Sequence, residues 1–205
     1  MKSVLISIRP EWVEKILSGE KTVEVRKTAP KIATPFKCYI YCTKGNLSYK
    51  TPGGMICHNN GGMDVVGEFV CDRITPLFNI CTDDWSRLMG DTHEWHKQLI
   101  RQACLTEADL KAYAKGKNCF AWHISDLKIY DKPLNVRQFV VDGDCDCLNC
   151  RKCFWRNPGN GYNVEDDCNL VYEYLGTGKT LKPLFRPPQS WCYVEEGESD
   201  VSQEA

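Results

Sequence analysis

Between Ser3 and Thr43 the sequence changes its periodicity three times, and none of the runs is long. Val4, Ile6 and Ile8 alternate with Ser3, Leu5 and Ser7, which predicts a strand over Ser3–Ile8 that is apolar on one face, Leu5 being the exception. Pro10 stands where the first turn of a helix accepts it, with Glu11 and Glu14 near the positive end of the dipole. Trp12, Val13, Ile16 and Leu17 form one apolar face of that helix, and Gly19 ends it. Lys21 to Lys27 alternates again, Val23 and Val25 to one side, Thr22, Glu24 and Arg26 to the other. Phe36 to Thr43 is a third strand, rich in β-formers. A strand that carries a carboxylate and a guanidinium on one face, beside a lysine, is a chemical surface as well as a piece of sheet.

The rest of the chain keeps to short elements. Lys44 to Gly62, with six Gly or Pro residues, reads as a long flexible loop of the kind compact domains keep for binding. Met63 to Ile74 returns as a strand, and Trp85, Leu88 and Met89 make a helical turn and a half. Asp91 with Glu94 resembles a capping box opening a helix through Trp95, Leu99 and Ile100. Thr106 caps a third helix, with Leu110 and Tyr113 inward and Gly116 at its end. Cys119 to Tyr130 is strand-like until Pro133 breaks it, Val171 to Leu184 reads as a hairpin around Gly176-Thr177-Gly178, and Ser190 to Val194 is a last strand. Five or six short strands, helices near the N-terminus and mid-chain, and no βαβ alternation predict an α+β fold, a small barrel with flanking helices. The expected organisation is a barrel from 1–140 plus 171–195, a Cys-rich insert over 141–170, and an acidic disordered tail over 196–205.

At 205 residues and 42% hydrophobic content the chain can fill a core, which excludes wholesale disorder. Its longest apolar runs span a few residues against the roughly 20 needed to cross a bilayer, so no membrane span is expected. The start, MKSVLISIRPEW, lacks the apolar core of a secretory signal, and the expected location is the cytoplasm. The net charge of −1 hides an asymmetry: residues 1–50 hold ten Lys/Arg against four Glu, whereas 195–205 hold five carboxylates and no base. A basic first quarter suits an anionic partner, nucleic acid or a phosphorylated small molecule; a solvated basic face is the alternative.

Gly19-Glu20-Lys21-Thr22-Val23-Glu24-Val25-Arg26, placed after an Ile16-Leu17 helix and an N-terminal strand, resembles the ASCH domain of the PUA-like superfamily. Residues 3–43 carry the match, and Phe120-Ala121-Trp122-His123-Ile124 and Pro187-Pro188-Gln189-Ser190-Trp191 look like closing strands of the same barrel. The resemblance implies a five- or six-stranded PUA-like barrel with a basic cleft beside the first helix, binding RNA or a modified nucleotide or nucleoside. Arg9, Lys21, Glu24 and Arg26 are then the candidate ligand-binding residues. Some small members act as amidohydrolases on acylated cytidine, and others are linked to RNA cleavage. In the amidohydrolases a lysine and a threonine on this junction act with a carboxylate further on; Lys21 matches the lysine, while Glu24 stands at the threonine position. An enzyme built here would use Lys21 and Glu24, without a hydroxyl nucleophile. Physically, Lys21 and Arg26 can hold an anion while Glu24 accepts from a base amino group or takes a proton. The bland alternative is a surface ion pair worth about 0–1 kcal/mol.

Thirteen cysteines, an odd number, argue against a pure disulfide framework. Five of them, Cys145, Cys147, Cys150, Cys153 and Cys168, crowd into a polar stretch with two C-x-x-C pairs sharing Cys150. Zinc takes four soft ligands in a tetrahedron, and a C-x-x-C turn presents two thiolates to one ion. Cys147, Cys150, Cys153 and Cys168 are the expected structural zinc ligands, with Cys145 as alternate; a reduced cluster that binds nothing, a redox pair and an iron–sulfur centre stay open. One further reading makes this insert a zinc-stabilised knob that docks a protein partner. Gly176-Thr177-Gly178-Lys179-Thr180 ends like a phosphate-binding loop, but Glu173 stands where the first glycine is required. His93 and His96 are spaced i, i+3, which reads as a helical surface.

Overall fold

The first strand, β1 (Ser3–Ile8), is buried at every position, because both of its faces are covered. The computed structural model describes residues 2–60, 64–77, 92–142, 181–184 and 186–196. In chain order the elements are β1, α1 (Pro10–Leu17), β2 (Val23–Arg26), β3 (Phe36–Cys42), β4 (Asn46–Lys50), β5 (Ile56–Asn60), β6 (Asp64–Cys71) and β7 (Ile74–Leu77). After them come α2 (Thr92–Gln102), α3 (Glu107–Ala114), β8 (Cys119–His123), β9 (Ser125–Asn135), a 3-10 turn (Val136–Gln138), β10 (Phe139–Asp142), β11 (Leu181–Pro183) and β12 (Trp191–Glu196).

Seven strands form a sheet in the order β11-β10-β12-β1-β3-β6-β9, three form a second sheet in the order β2-β8-β7, and β4-β5 is a separate hairpin. The class is α+β, as the pattern of elements predicts. The described strands number twelve, more than the five or six expected of the barrel. β1 runs antiparallel to β12 and parallel to β3, so α1 and β2 form a crossover between parallel neighbours, which the absence of a repeating βαβ pattern in the sequence conceals. Only Asp72-Arg73 separates β6 from β7, and only Ile124 separates β8 from β9; these corners carry the chain between the large sheet and the small one.

Between the two sheets lies the main core, built from Val4, Ile6 and Ile8 of β1, Val13 and Ile16 of α1, Cys38 and Ile40 of β3, Phe69 of β6 and Trp122 of β8. A second cluster fills the outer face of the small sheet, where Val23, Val25 and Ala121 meet Leu99, Ile100 and Leu110 of α2 and α3. A third covers the outer face of the large sheet and takes in Leu5, with Tyr39, Val136 and Phe139. Leu5 therefore breaks the polar side of its alternation because that side is also a core.

Several expectations change in three dimensions. Lys44–Gly62 contains the β4-β5 hairpin, whose Leu47 and Tyr49 are buried in the main core. Gly45 (φ 154°) starts it against α1; a Cβ there would stand 2.7 Å from Pro10 Cγ. Pro133 does not end its strand, because β9 lies at the edge of the sheet, where a missing N–H costs no ladder bond. Thr106 and Asp109 form a reciprocal capping box on α3 and Leu110 is buried, but Tyr113 is 39% exposed. His96 is buried in α2 and not on its surface. The Trp85-Leu88-Met89 turn, the Gly176-Thr177-Gly178 hairpin and the acidic tail beyond Glu196 lie outside the described residues. Among the described residues no helix is long and apolar enough to cross a membrane.

The edges of the Cys-rich segment are informative. β10 pairs with β11 so that Asp142 lies opposite Leu181, and β10 also pairs with β12. Asp142 and Leu181, the described residues on either side of 143–180, are thus paired neighbours in the sheet, and the expected Cys-rich insert over 141–170 lies outside the described residues from 143 onward.

Candidate functional site

Gly19 (φ 78°) ends α1 in a left-handed turn, and the Lys21 N–H donates to the Lys15 carbonyl at 2.8 Å. This turn delivers Lys21 to the C-terminal end of α2. There the Thr22 N–H donates to Gln102 O at 3.0 Å and the Lys21 ammonium donates to Ala103 O at 2.6 Å. Carbonyls at a helix C-terminus lack intrahelical partners and carry partial negative charge, so a cation is the group that satisfies them.

Strand alternation then sets Glu24 and Arg26 on the face of β2 opposite Val23 and Val25, toward the main core. Glu24 lies opposite Trp122 across the β2-β8 pair and Arg26 opposite Phe120. The result is a row of charges inside the protein. Lys21 Nζ is 3.4 Å from Glu24 Oε2, and Arg26 Nε is 3.1 Å from Glu24 Oε1, with all three side chains no more than 10% exposed. Arg26 also donates to Ser7 O at 2.6 Å and to Ser190 Oγ at 3.4 Å. Ser7 in turn donates through its hydroxyl to Pro188 O at 2.6 Å, so the Pro187-Pro188-Gln189-Ser190 segment is tied down beside the guanidinium.

The row is richer in N–H donors than in acceptors. Arg26 Nε, although close to Glu24, is not aligned for a hydrogen bond, and neither it nor the indole N–H of fully buried Trp122 finds an acceptor among the described residues. Two aromatic rings flank the charges. Trp12 lies under Lys21, whose Nζ is 5.1 Å from the ring centroid, and Tyr113 carries Lys27 Nζ at 5.0 Å. Burial raises the Tyr113 hydroxyl pKa above its usual range; the Arg26 guanidinium opposes that shift and the Glu24 carboxylate adds to it.

Of the four ligand-binding candidates, the structure gathers Lys21, Glu24 and Arg26. Arg9 lies elsewhere: its side chain is 77% exposed, 3.8 Å from Glu11, and lines a groove of about 440 Å³ with Glu14, Thr43, Lys44 and Asn46. In the sequence pattern Ser7, Ser190 and Trp12 stand only as a polar strand position, part of a closing strand and one member of an apolar face. Their role as partners of the row has no sequence signal beyond that. Nor does the sequence mark the Ala103 carbonyl, since any residue supplies one.

The two remaining histidines of the described chain are satisfied locally. Ser48 Oγ and His58 Nδ1 are 2.8 Å apart. His123 sits between Arg73 Nη2, 3.1 Å from its Nδ1, and Thr75 Oγ1, 2.9 Å from its Nε2. A guanidinium can only donate, so Nδ1 is the acceptor and Nε2 carries the proton. No group of three His, Cys, Asp or Glu side chains among the described residues converges to hold a metal. Cys145, Cys147, Cys150, Cys153 and Cys168 lie outside them.

No family model matches the sequence, and no curated protein does. Among solved structures, ASCH from Zymomonas mobilis matches with a TM-score of 0.50 at 20% identity, covering 94% of this chain and 87% of that one. A serine-to-alanine variant of the same Zymomonas mobilis protein matches at 20% identity and a TM-score of 0.50, over 94% and 88% of the two chains. Alignment over nearly all of both chains at so low an identity is a likeness of architecture, and the chain has the fold of an ASCH domain.

Proposed function

We propose that this chain is an ASCH/PUA-like module that binds RNA or a modified nucleotide, and that Lys21, Glu24 and Arg26 at the helix–strand junction are its ligand-binding row. One observation carries the reading: two cations and one carboxylate are brought together inside the fold with Arg26 Nε and Trp122 Nε1, which have no hydrogen-bond acceptor among the described residues, on the same face of the small sheet. A donor-rich, cationic interior recruits a ligand that supplies acceptors and negative charge, and a nucleotide supplies both, in its phosphate and in the carbonyl and ring nitrogens of its base. The basic balance of residues 1–50 and the ASCH fold support the same choice. Glu24, with an oxygen directed at each cation, is held as a fixed acceptor suited to a base amino group, which favours binding over the hydrolytic reading in which it would shuttle a proton.

The test is a titration of the full chain with a short single-stranded RNA and with nucleoside monophosphates, using Arg26→Gln and Arg26→Lys beside the wild type. Charge-assisted hydrogen bonds are worth about 1.5–3 kcal/mol, so Arg26→Gln is expected to weaken binding about tenfold or more. Arg26→Lys keeps the charge without the fork and recovers part of it. Wild-type protein that binds none of these ligands, or an Arg26→Gln protein that is folded and binds as tightly, overturns the proposal.

A further inference from the structure

Among the described residues, Tyr113 is the large aromatic side chain beside the charged row that is more than a third exposed, at 39%. Its helix leads one to expect it inward, as Leu110 is, yet α3 turns it to the rim, where Lys27 Nζ rests 5.0 Å from the ring centroid. Lys27 follows Arg26 in the chain, so the ring stands at the end of the row away from Lys21 and Trp12. A partly exposed ring with the ammonium of Lys27 over it, one residue along the chain from Arg26, has the composition of a surface that accepts a base on its face and a phosphate at its edge. The exposed part of the ring contributes little to stability, since that area is not removed from water.

We propose that Tyr113 is a ligand-contacting residue of this site, a platform on which a nucleobase stacks while Lys27 and Arg26 take the adjoining phosphate. The proposal rests on the nucleotide-binding reading above and adds the element that senses the base itself. It assigns affinity to any planar base, because every base has a π-face; discrimination among bases stays with the donors and acceptor of the row.

The experiment measures, at one fixed ionic strength, the affinity of the full chain for a fluorescently labelled single-stranded RNA hexanucleotide and for ribose 5-phosphate, which has the phosphate but no base. Tyr113→Ala, Tyr113→Phe and Tyr113→Trp are compared with wild type, and thermal unfolding shows that each is folded, as substitution of so exposed a residue allows. Tyr113→Ala is expected to bind the RNA about 5- to 150-fold more weakly, the range of one lost base–aromatic stack. Phe and Trp, which keep a π-face, are expected to stay within a few-fold of wild type, and ribose 5-phosphate is expected to bind wild type and Tyr113→Ala alike. RNA binding by Tyr113→Ala equal to wild type overturns the platform and leaves the charged row standing. Loss in Tyr113→Phe as large as in Tyr113→Ala overturns it as well, by moving the effect to the hydroxyl. Wild-type protein that binds neither probe removes the nucleotide-binding reading, and the platform with it.

Discussion

Glu24 and Arg26, two positions apart on one strand, meet at 3.1 Å in the protein interior, and Lys21 closes on the same carboxylate from the other side at 3.4 Å. The carboxylate is thus shared by two cations that have little access to water. Removing one partner of a buried ion pair leaves an uncompensated charge, which costs about 3–5 kcal/mol. Glu24→Ala strands both cations and is expected to fall in that range in chemical denaturation. Lys21→Met removes one cation, leaves a neutral Glu24–Arg26 pair and keeps the packing of an unbranched chain on Trp12, so it is expected to destabilise less than Glu24→Ala. The opposite order of the two would mean that the hydrogen bond to Ala103 O, and not the charge balance, decides the stability of the row.

A second constraint is steric. β6 crosses β9 so closely at Gly67 that a Cβ built there would stand 2.5 Å from the Lys128 carbonyl oxygen, a backbone atom that cannot swing aside. Register shifts between Val65 and Gly67 and between Glu68 and Val70 flank this point. Gly67→Ala is therefore expected to cost about 1–3 kcal/mol or more, as overpacking does, and to loosen the β6-β9 ladder. Thermal unfolding together with hydrogen exchange at Ile129 reads both effects; an unchanged melting temperature would show that the strands separate there without penalty.

Much of this is visible in the sequence. Pro10, the apolar face of α1 and Gly19 define the first helix, and the alternation of Val23, Glu24, Val25 and Arg26 already puts the two charges on one side of β2. Two things are hidden. The charged side of β2 faces inward, because the small sheet packs across the large one and both faces of β2 are covered; alternation reports that faces differ, not which is outside. The partners of the row, Ala103 at the end of α2 and Ser190 before β12, are 82 and 164 residues from Lys21 and Arg26 respectively, and no local pattern links them. The β4-β5 hairpin escapes notice for a related reason: Pro52, Gly53 and Gly54 sit at its turn and Gly45 at its start, and the buried Leu47 and Tyr49 are too few to stand out against them.

His123 makes stability depend on pH. Burial, and then the Arg73 guanidinium, lower its pKa below the ordinary 6.5, and Asp72 opposes them only in part. At pH 8 the ring is neutral in folded and unfolded chains, so it contributes no pH dependence there. As the pH falls through the unfolded value near 6.5, the unfolded chain takes up a proton that the folded one refuses, and stability is lost until the pH reaches the folded pKa. Wild type is therefore expected to lose stability relative to His123→Gln between about pH 7 and 5, read as the difference of their urea midpoints. A difference that stays constant across that range would show that His123 is protonated in the folded protein as readily as in the unfolded one.

The Cys-rich segment between β10 and β11 carries the last prediction. Asp142 and Leu181 are paired, so the ends of residues 143–180 are held side by side by the sheet. From 141 to 170 the sequence offers little to bury, essentially Leu148, Phe154, Trp155 and Val164. At about 1.5–3 kcal/mol per large apolar side chain, these cannot offset a backbone cost of about 1–2 kcal/mol for every residue that is ordered. Four thiolates on a zinc ion supply an apparent binding energy of about 10–16 kcal/mol in small zinc peptides, which is of the size required. We propose a zinc held by Cys147, Cys150, Cys153 and Cys168, with Cys145 as alternate. Protein purified reduced and without chelator is expected to contain one equivalent of zinc; replacing Cys147 and Cys150 together by Ser should remove it, while Cys145→Ser should not. Because Asp142 and Leu181, which flank the segment, are paired in the sheet, chelation is expected to expose its thiols to labelling and leave the amides of β1 and β3 protected from exchange. Substoichiometric metal in wild type, with the thiols nonetheless shielded, would assign those cysteines to packing or to disulfides instead.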